Sequence, residues 1–486
     1  MKGLRTAALA AILSSAAYLV LADDTTCENI LSPSYPVPAV HPGWKAQLIM
    51  EGLVRPRTLE VDAEGALLIL DAGVGIRRVT FTDHGSTCLE VDENDLLVDD
   101  DRLNHGMALS LDGRTIYAST PDSVYAWSYD PSTGSISDNR TTVVDGMQSS
   151  VHVTRTLLVS RHSPGYLVIA RGSSDNLAHQ AHDLDAGVSQ VRAFNLNNTA
   201  AYPIDFVAGG RVLGWGLRNS VGIDEDPATG RIYAVETSID DVERNGELIK
   251  EDNPAEELNY LGTVAEALER EDDADAPNFG YPVCYAVWEA DDIPDHDGLE
   301  VGDQFSIETN STLNDTTCSE NYVSPRLSFA AHTVPLAMRF TREGSQAWIT
   351  FHGSFNREDP TGYTLSVVQF NDGEPVEPAT SHDSVTHIMS MADLTTCPDN
   401  CFRPMAIAWG PSGRVFLTSD STGELYIIER RADGPSGTQS GTIERPEETG
   451  SPDGGDDPDS AAVGVSAVQS LGLAVAAVLT GLLVAM

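Results

Sequence analysis

"MALSLDGRTIYASTPDSVYAW", Met107–Trp127, decides the architecture. Apolar and polar side chains alternate through Met107–Leu109, stop at the Asp112-Gly113 turn, and alternate again through Ile116–Ala118. A Thr120-Pro121-Asp122 break precedes a third alternating run. Alternation puts one face of each segment in a core, and Asp-Gly is a turn that returns a strand on itself. The same unit recurs as "LEVDAEGALLILDAGVGIRRV" from Leu59, "VGIDEDPATGRIYAVE" from Val221 and "AIAWGPSGRVFLTSDSTGELYIIE" from Ala406. Looser copies are "TRTLLVSRHSPGYLVIARGS" from Thr154 and "AMRFTREGSQAWITFHGS" from Ala337, six copies in all.

Small antiparallel sheets repeated along a chain predict radial repetition, an all-β, six-bladed β-propeller. Helical stretches between strands are nearly absent, which argues against a doubly wound fold; the acidic insert 265–275 is read as containing one short helix. "GVGIRR" from Gly73 lacks the following helix that a dinucleotide loop needs.

The chain has 486 residues and a formal charge of −44, from 29 basic and 73 acidic side chains. That charge repels nucleic acid and anionic membrane surfaces. A hydrophobic content of 41% supports a core, so the acidity belongs to surfaces and loops. Residues 1–22, with Lys2, Arg5 and an apolar stretch ending at Ala22, read as a secretory signal peptide. The propeller is expected over 23–431 and an acidic Gly/Ser/Pro linker over 432–460. Residues 461–486, with small residues at the start and an uncharged apolar tail, read as a glycosylphosphatidylinositol attachment signal that is removed. The expected location is thus the extracellular cell surface, with membrane contact only through the lipid. Sequons at Asn139, Asn197, Asn310 and Asn314 agree with secretion. The six cysteines favour disulfides, with Cys397–Cys401 the easiest pair and the other pairings open.

"FHGSFNREDPTGY", Phe351–Tyr363, and "LRNSVGIDEDPATGRIYAVETSIDD", Leu217–Asp241, carry a resemblance, with "HVTRTL", "NFGYP", "LNHGMALS" and "FRPMAIAWGPSG" around them. Together these segments resemble the soluble quinoprotein glucose and sorbosone dehydrogenases, most closely the fungal pyranose dehydrogenases that use pyrroloquinoline quinone (PQQ). Phe355 stands where that family usually has Trp. The resemblance implies a PQQ- and Ca²⁺-dependent oxidoreductase that takes hydride from a pyranose sugar and passes electrons to a separate acceptor (a cytochrome, quinone or oxidative enzyme).

It further implies His152 as the base, with Arg218 and Asn219 beside the quinone carbonyl that accepts hydride. PQQ carries three carboxylates, and the chain has only three lysines, none in a motif. Arginine, whose planar fork suits carboxylates, is therefore expected to hold it: Arg57, Arg155, Arg357 and Arg403, together with His352. His105 and His332 are expected to line the pocket. The Ca²⁺ ligands are expected to be the backbone carbonyls of Ser238 and Ile239, although the Gly-Pro of bacterial relatives is missing here. "HQAHD", His179–Asp183, has metal-like spacing but no evident third ligand. Two other readings are a Ca²⁺-dependent lactonase-type hydrolase and a non-catalytic sugar- or protein-binding propeller.

Overall fold

The computed structural model describes Cys27 and residues 30–432 apart from positions 150 and 297; the segments expected to be a signal peptide and a lipid-attachment signal, and most of the expected linker, lie outside the described residues. Six blades are present, each with four principal antiparallel strands. The innermost strands are Pro56–Val61, Met107–Leu109, Leu157–Val159, Ser220–Glu225, Pro335–Phe340 and Pro404–Trp409, in blades one to six. Each packs against the innermost strands of its two neighbours, closing a ring. The six sequence copies map one to one onto the first two strands of these blades. In the Met107 copy, Gly113 sits at φ 69°, a left-handed conformation that a side chain disfavours.

The ring closes with a strand from the beginning of the chain. Trp44–Met50 forms the outermost strand of blade six and pairs antiparallel with Glu424–Arg430. Ala39–Val40 extends the edge of blade five by pairing with Met389 and Ser390. Pairing segments so far apart carries a loop-closure penalty, which burial at the seam must offset. Trp348 supplies much of that burial: it is fully buried, with Trp44 at 5.0 Å and Trp409 at 5.3 Å, both edge-to-face. Other cores also lie between blades, as where Leu67 and Ile69 meet Phe416 and Ile427.

The acidic insert contains a short helix, Val264–Glu269, as expected. Thr263 caps it by accepting from Glu266 N, and the Glu266 carboxylate accepts from Thr263 N. Three disulfides form: Cys397–Cys401 as expected, Cys27–Cys88, and Cys284–Cys318 within the insertion of blade four. Among the described residues no helix is long and apolar enough to cross a membrane.

The start of each first strand adjoins the end of each second strand, as in Pro56↔Asp71, Ser220↔Glu236 and Pro404↔Ser419. These junctions gather at one end of the central channel. Arg57, His105, Arg155, Arg218, Asn219, Ser238, His352 and Arg403 fall at or beside such junctions.

Removing the indole at the blade five–six seam should open a cavity that the rigid sheets cannot fill. Trp348→Ala is expected to lower stability by about 3–5 kcal/mol, read as a shift of the urea unfolding midpoint.

Candidate active site

A chain of hydrogen bonds crosses the channel end and touches all six blades. It starts at His352, just after the second strand of blade five, whose Nε2 donates to Asp420 Oδ1 at 2.7 Å. Asp420 follows the second strand of blade six, and its Oδ2 accepts from Arg57 Nη1 of blade one at 2.6 Å. Arg57 Nε donates to His105 Nδ1 at 3.3 Å, so the other ring nitrogen of His105 carries the proton and donates to Thr156 Oγ1 at 3.1 Å. Thr156 Oγ1 then donates to the Val221 carbonyl of blade four. Below this chain runs a narrow central cavity lined by Thr58, Gly106, Gly222, Met338 and Met405.

Burial sets the charge states along the chain. It pushes His105 well below its ordinary value, and the Arg57 charge adds to the effect. His352 is also lowered by burial, although Asp420 opposes this. Burial works against the Asp420 charge too, but its pairing with His352 and Arg57 outweighs that and holds the carboxyl well below the usual carboxylate range. The result is an ionised Asp420 between a guanidinium and a neutral imidazole.

The predicted arginines divide into two kinds. Arg403 donates Nη2 to the Gly353 carbonyl at 2.7 Å and Nε to the His352 carbonyl at 3.3 Å, while its Nη1 has no described partner. Arg57 likewise leaves Nη2 uncommitted. Arg155, by contrast, is fully buried. Its Nη1 donates to the carbonyls of His152 and Thr154, and Nη2 to that of Met147. It is an internal clamp on the His152 loop and presents no surface to a ligand, unlike the contact role expected from the motif. Arg357 turns toward blade four, where it bonds the Glu251 carbonyl and, at 2.7 Å, Asp252 Oδ1. With Asn356 Nδ2 donating to Asp240 Oδ1 at 3.1 Å, the "HGSFNR" segment staples down the blade-four loop.

His152, Arg218 and Asn219 do come together. A Cβ added to Gly172 would lie 2.5 Å from Asn219 Oδ1 and 2.8 Å from His152 Cβ, so only glycine permits this approach. His152 Nδ1 faces Ser173, and its Nε2 has no described partner. Burial, and next the Arg218 charge, bring the His152 pKa down to about 3, leaving a neutral ring. Arg218 is fully engaged, with Asn176 Oδ1 at 2.8 Å, Asp240 Oδ2 at 3.2 Å and the Thr237 carbonyl at 3.2 Å.

The loop after blade four's second strand holds Ser238 and Ile239. Their carbonyl oxygens accept from no described residue, whereas the neighbouring Asp240 carbonyl accepts from Asn176 Nδ2 at 2.9 Å. Ser238 N donates to Glu256 Oε2 at 2.8 Å. Beneath lie the buried carboxyls of Glu236, Glu256 and Glu257; burial raises all three, Glu256 and Glu257 to about 7. Two uncommitted carbonyls on an anchored loop suit a hard cation. Among the described residues, no three His, Cys, Asp or Glu side chains are grouped to hold a metal. His332 lies beside this loop, its Nδ1 3.6 Å from Asp240 Oδ1.

Asp420, Asn176, Ser173 and Glu256 belong to the site but were not singled out from the sequence. For Asp420 a signal existed. It follows the second strand of its repeat as His352 does in blade five, so aligning the copies would have marked both.

The fit to a polyanion rests on two guanidinium nitrogens, Arg57 Nη2 and Arg403 Nη1, left free at the channel end of a protein whose net charge is −44. The buried His352 Nδ1 is also unpartnered. The free guanidinium donors suit a ligand with several carboxylates, whereas Nδ1 of the neutral His352, whose proton lies on Nε2, offers a lone pair to a donor group.

The chain is similar to several known proteins. Residues 38–431 match the TrAA12-like family. A PQQ-dependent sugar dehydrogenase of Hypocrea jecorina is 44% identical over 413 residues, covering 84% of this chain and 93% of that protein. The calcium structure of the Trichoderma reesei Carbohydrate-Active Enzymes Family AA12 protein superposes with a TM-score of 0.79 at 45% identity, covering 84% of this chain and all of that one. The holo form of the pyranose dehydrogenase PQQ domain from Coprinopsis cinerea gives 0.77 at 34% identity, covering 83% and 99%. Of the full-length Coprinopsis cinerea pyranose dehydrogenase the chain spans 56%.

The depressed His152 pKa has a consequence for folding. The unfolded imidazole takes up a proton as pH falls through 6.5, while the native one resists until about 3. Stability is therefore lost as pH falls across that window. His152→Gln should flatten the dependence of unfolding free energy on pH by about one proton, ~1.4 kcal/mol per pH unit, in urea titrations between pH 4 and 6.

Proposed function

Because the chain belongs to the TrAA12-like family, we propose that it is a PQQ-dependent pyranose dehydrogenase that oxidises a sugar at a hydroxyl-bearing carbon and passes electrons to an external acceptor. The observation that carries this reading is the approach of His152, Arg218 and Asn219 across Gly172, at the channel end where Arg57 and Arg403 keep free donors.

Arg57 and Arg403 would hold the carboxylates of the cofactor, with His352 fixed between them through Asp420. The carbonyls of Ser238 and Ile239 would hold Ca²⁺. When bound, PQQ supplies the two-electron acceptor and Ca²⁺ polarises it. His152, neutral and with an uncommitted Nε2, would accept the sugar O–H proton. The Arg218 guanidinium, held by Asn176 and Asp240, fixes positive charge beside it and disfavours charging of the free base. Asn219, anchored to Thr237 Oγ1 at 3.3 Å, is oriented to position the substrate side of the site. Arg155 and Arg357 shape the two loops that carry these groups.

The secretory signal over 1–22, the catalytic unit over 23–431, the linker over 432–460 and the lipid-attachment signal over 461–486 complete the reading. Disulfides in the propeller support an oxidising compartment. A phosphatidylinositol-specific phospholipase should release the protein from cells; retention after that treatment would point to an ordinary membrane span.

The activity is tested by adding PQQ and Ca²⁺ to the protein and following bleaching of the quinone absorbance on addition of pyranoses. His152→Gln should bind PQQ as well as wild type but be reduced by sugar roughly 10²–10⁴ times more slowly. Arg403→Ala should instead weaken PQQ binding by roughly 10–150-fold, the loss of one charge-assisted pair. Wild-type rates in His152→Gln would move the base elsewhere, and absence of PQQ binding in wild type would favour the non-catalytic propeller.

A further inference from the structure

His152 has two candidate nitrogens for its role, and the structure discriminates between them. Nδ1 lies 3.1 Å from the Ser173 carbonyl oxygen and 2.8 Å from Ser173 Oγ. A carbonyl oxygen can only accept. The Ser173 hydroxyl has already given its hydrogen to the Asp175 carbonyl at 2.6 Å, so toward the ring it too can only accept.

We propose that Ser173 is the positioning residue that keeps the His152 proton on Nδ1 and leaves the Nε2 lone pair as the base; this deepens the dehydrogenase reading above and rests on it. A neutral imidazole has one N–H, and two acceptors facing Nδ1 place it there. Ser173 is itself fixed, since its backbone N–H donates to the Arg218 carbonyl at 2.7 Å. The residue that orients the base is thus tied through its backbone to Arg218.

Ser173 is also uncharged. The charged groups that act on His152 are Arg218 and Arg155, which disfavour its protonation, and Asp240, which favours it but is paired with Arg218 at 3.2 Å. A neutral orienter selects the tautomer without stabilising the imidazolium, whereas a carboxylate at position 173 would do both.

The test is ¹⁵N NMR of the whole protein labelled at histidine, with His152 assigned by its loss in His152→Gln. Between pH 5 and 8, in the absence of cofactor, the expected result is a protonated Nδ1 and an unprotonated Nε2. A proton on Nε2 overturns the proposal. In Ser173→Ala the two tautomers should mix, and sugar should reduce the PQQ- and Ca²⁺-loaded protein about tenfold more slowly with PQQ affinity unchanged. Ser173→Thr should restore both the single tautomer and the rate. Ser173→Asp should keep the tautomer and raise the pH at which His152 titrates. A single Nδ1–H tautomer and wild-type rate in Ser173→Ala would assign the role to the backbone carbonyl and overturn the side-chain proposal. If Ser173→Ala does not fold, the wild-type spectrum and Ser173→Thr still decide. An Nδ1–H tautomer combined with a fully active His152→Gln would refute the base reading alone, while an Nε2–H tautomer with an inactive His152→Gln would refute only the role of Ser173.

Discussion

The Asp420 carboxylate, buried at the channel end and gripped by Arg57 and His352, is the interaction on which the site depends. Blades five, six and one meet at this single side chain, and the chain of bonds continues through His105 and Thr156 to blade four. A buried ion pair gives little net stability over an apolar replacement, but removing one partner leaves a stranded charge and is strongly destabilising. What the pair provides is registry. Each blade contributes one group, and the channel end is correctly assembled only when all six are in place.

A second constraint comes from the loops. Within a blade, sheet ladders satisfy backbone carbonyls, but at the channel end the chain turns irregularly and those carbonyls need donors. Arginine meets that need because it offers several donors in a fixed plane. Arg155 holds the carbonyls of residues 147, 152 and 154, and Arg171 those of 148 and 187. Arg403 holds those of 352 and 353. So an acidic protein buries much of its scarce positive charge as scaffolding. Among the buried arginines at the motif positions, Arg57 and Arg403 retain uncommitted terminal nitrogens for a ligand, whereas Arg218 is fully engaged and the unpartnered Nε of Arg155 is fully enclosed.

Membership of the TrAA12-like family and the polar donors at the channel end point to the same chemistry. The one is a matter of descent and the other of unmatched hydrogen-bonding capacity in a buried site. The acidic surface is compatible with both, because the site's positive charge is enclosed and little screened.

The propeller itself was legible from the chain. Strand alternation and glycine turns are local properties, so six copies such as Met107–Ala118 announce six blades without reference to anything distant. The positions of His152, Arg218, Asn219, Arg57 and Arg403 were marked by the resemblance to a known family, and a residue at or shortly before a strand start lies at one end of its blade. The direction of a side chain in an irregular loop has no such period. Whether Arg155 turned inward to its own carbonyls, or Arg357 reached Asp252 across to blade four, depended on partners brought near only by ring closure. The strand that closes the ring, Trp44–Met50, pairs with a segment at the far end of the propeller, and nothing local to it names that partner. Asp420 shows the same limit. Its sequence neighbours mark a strand end, but its role comes from three blades converging on one carboxylate, which only the folded ring produces.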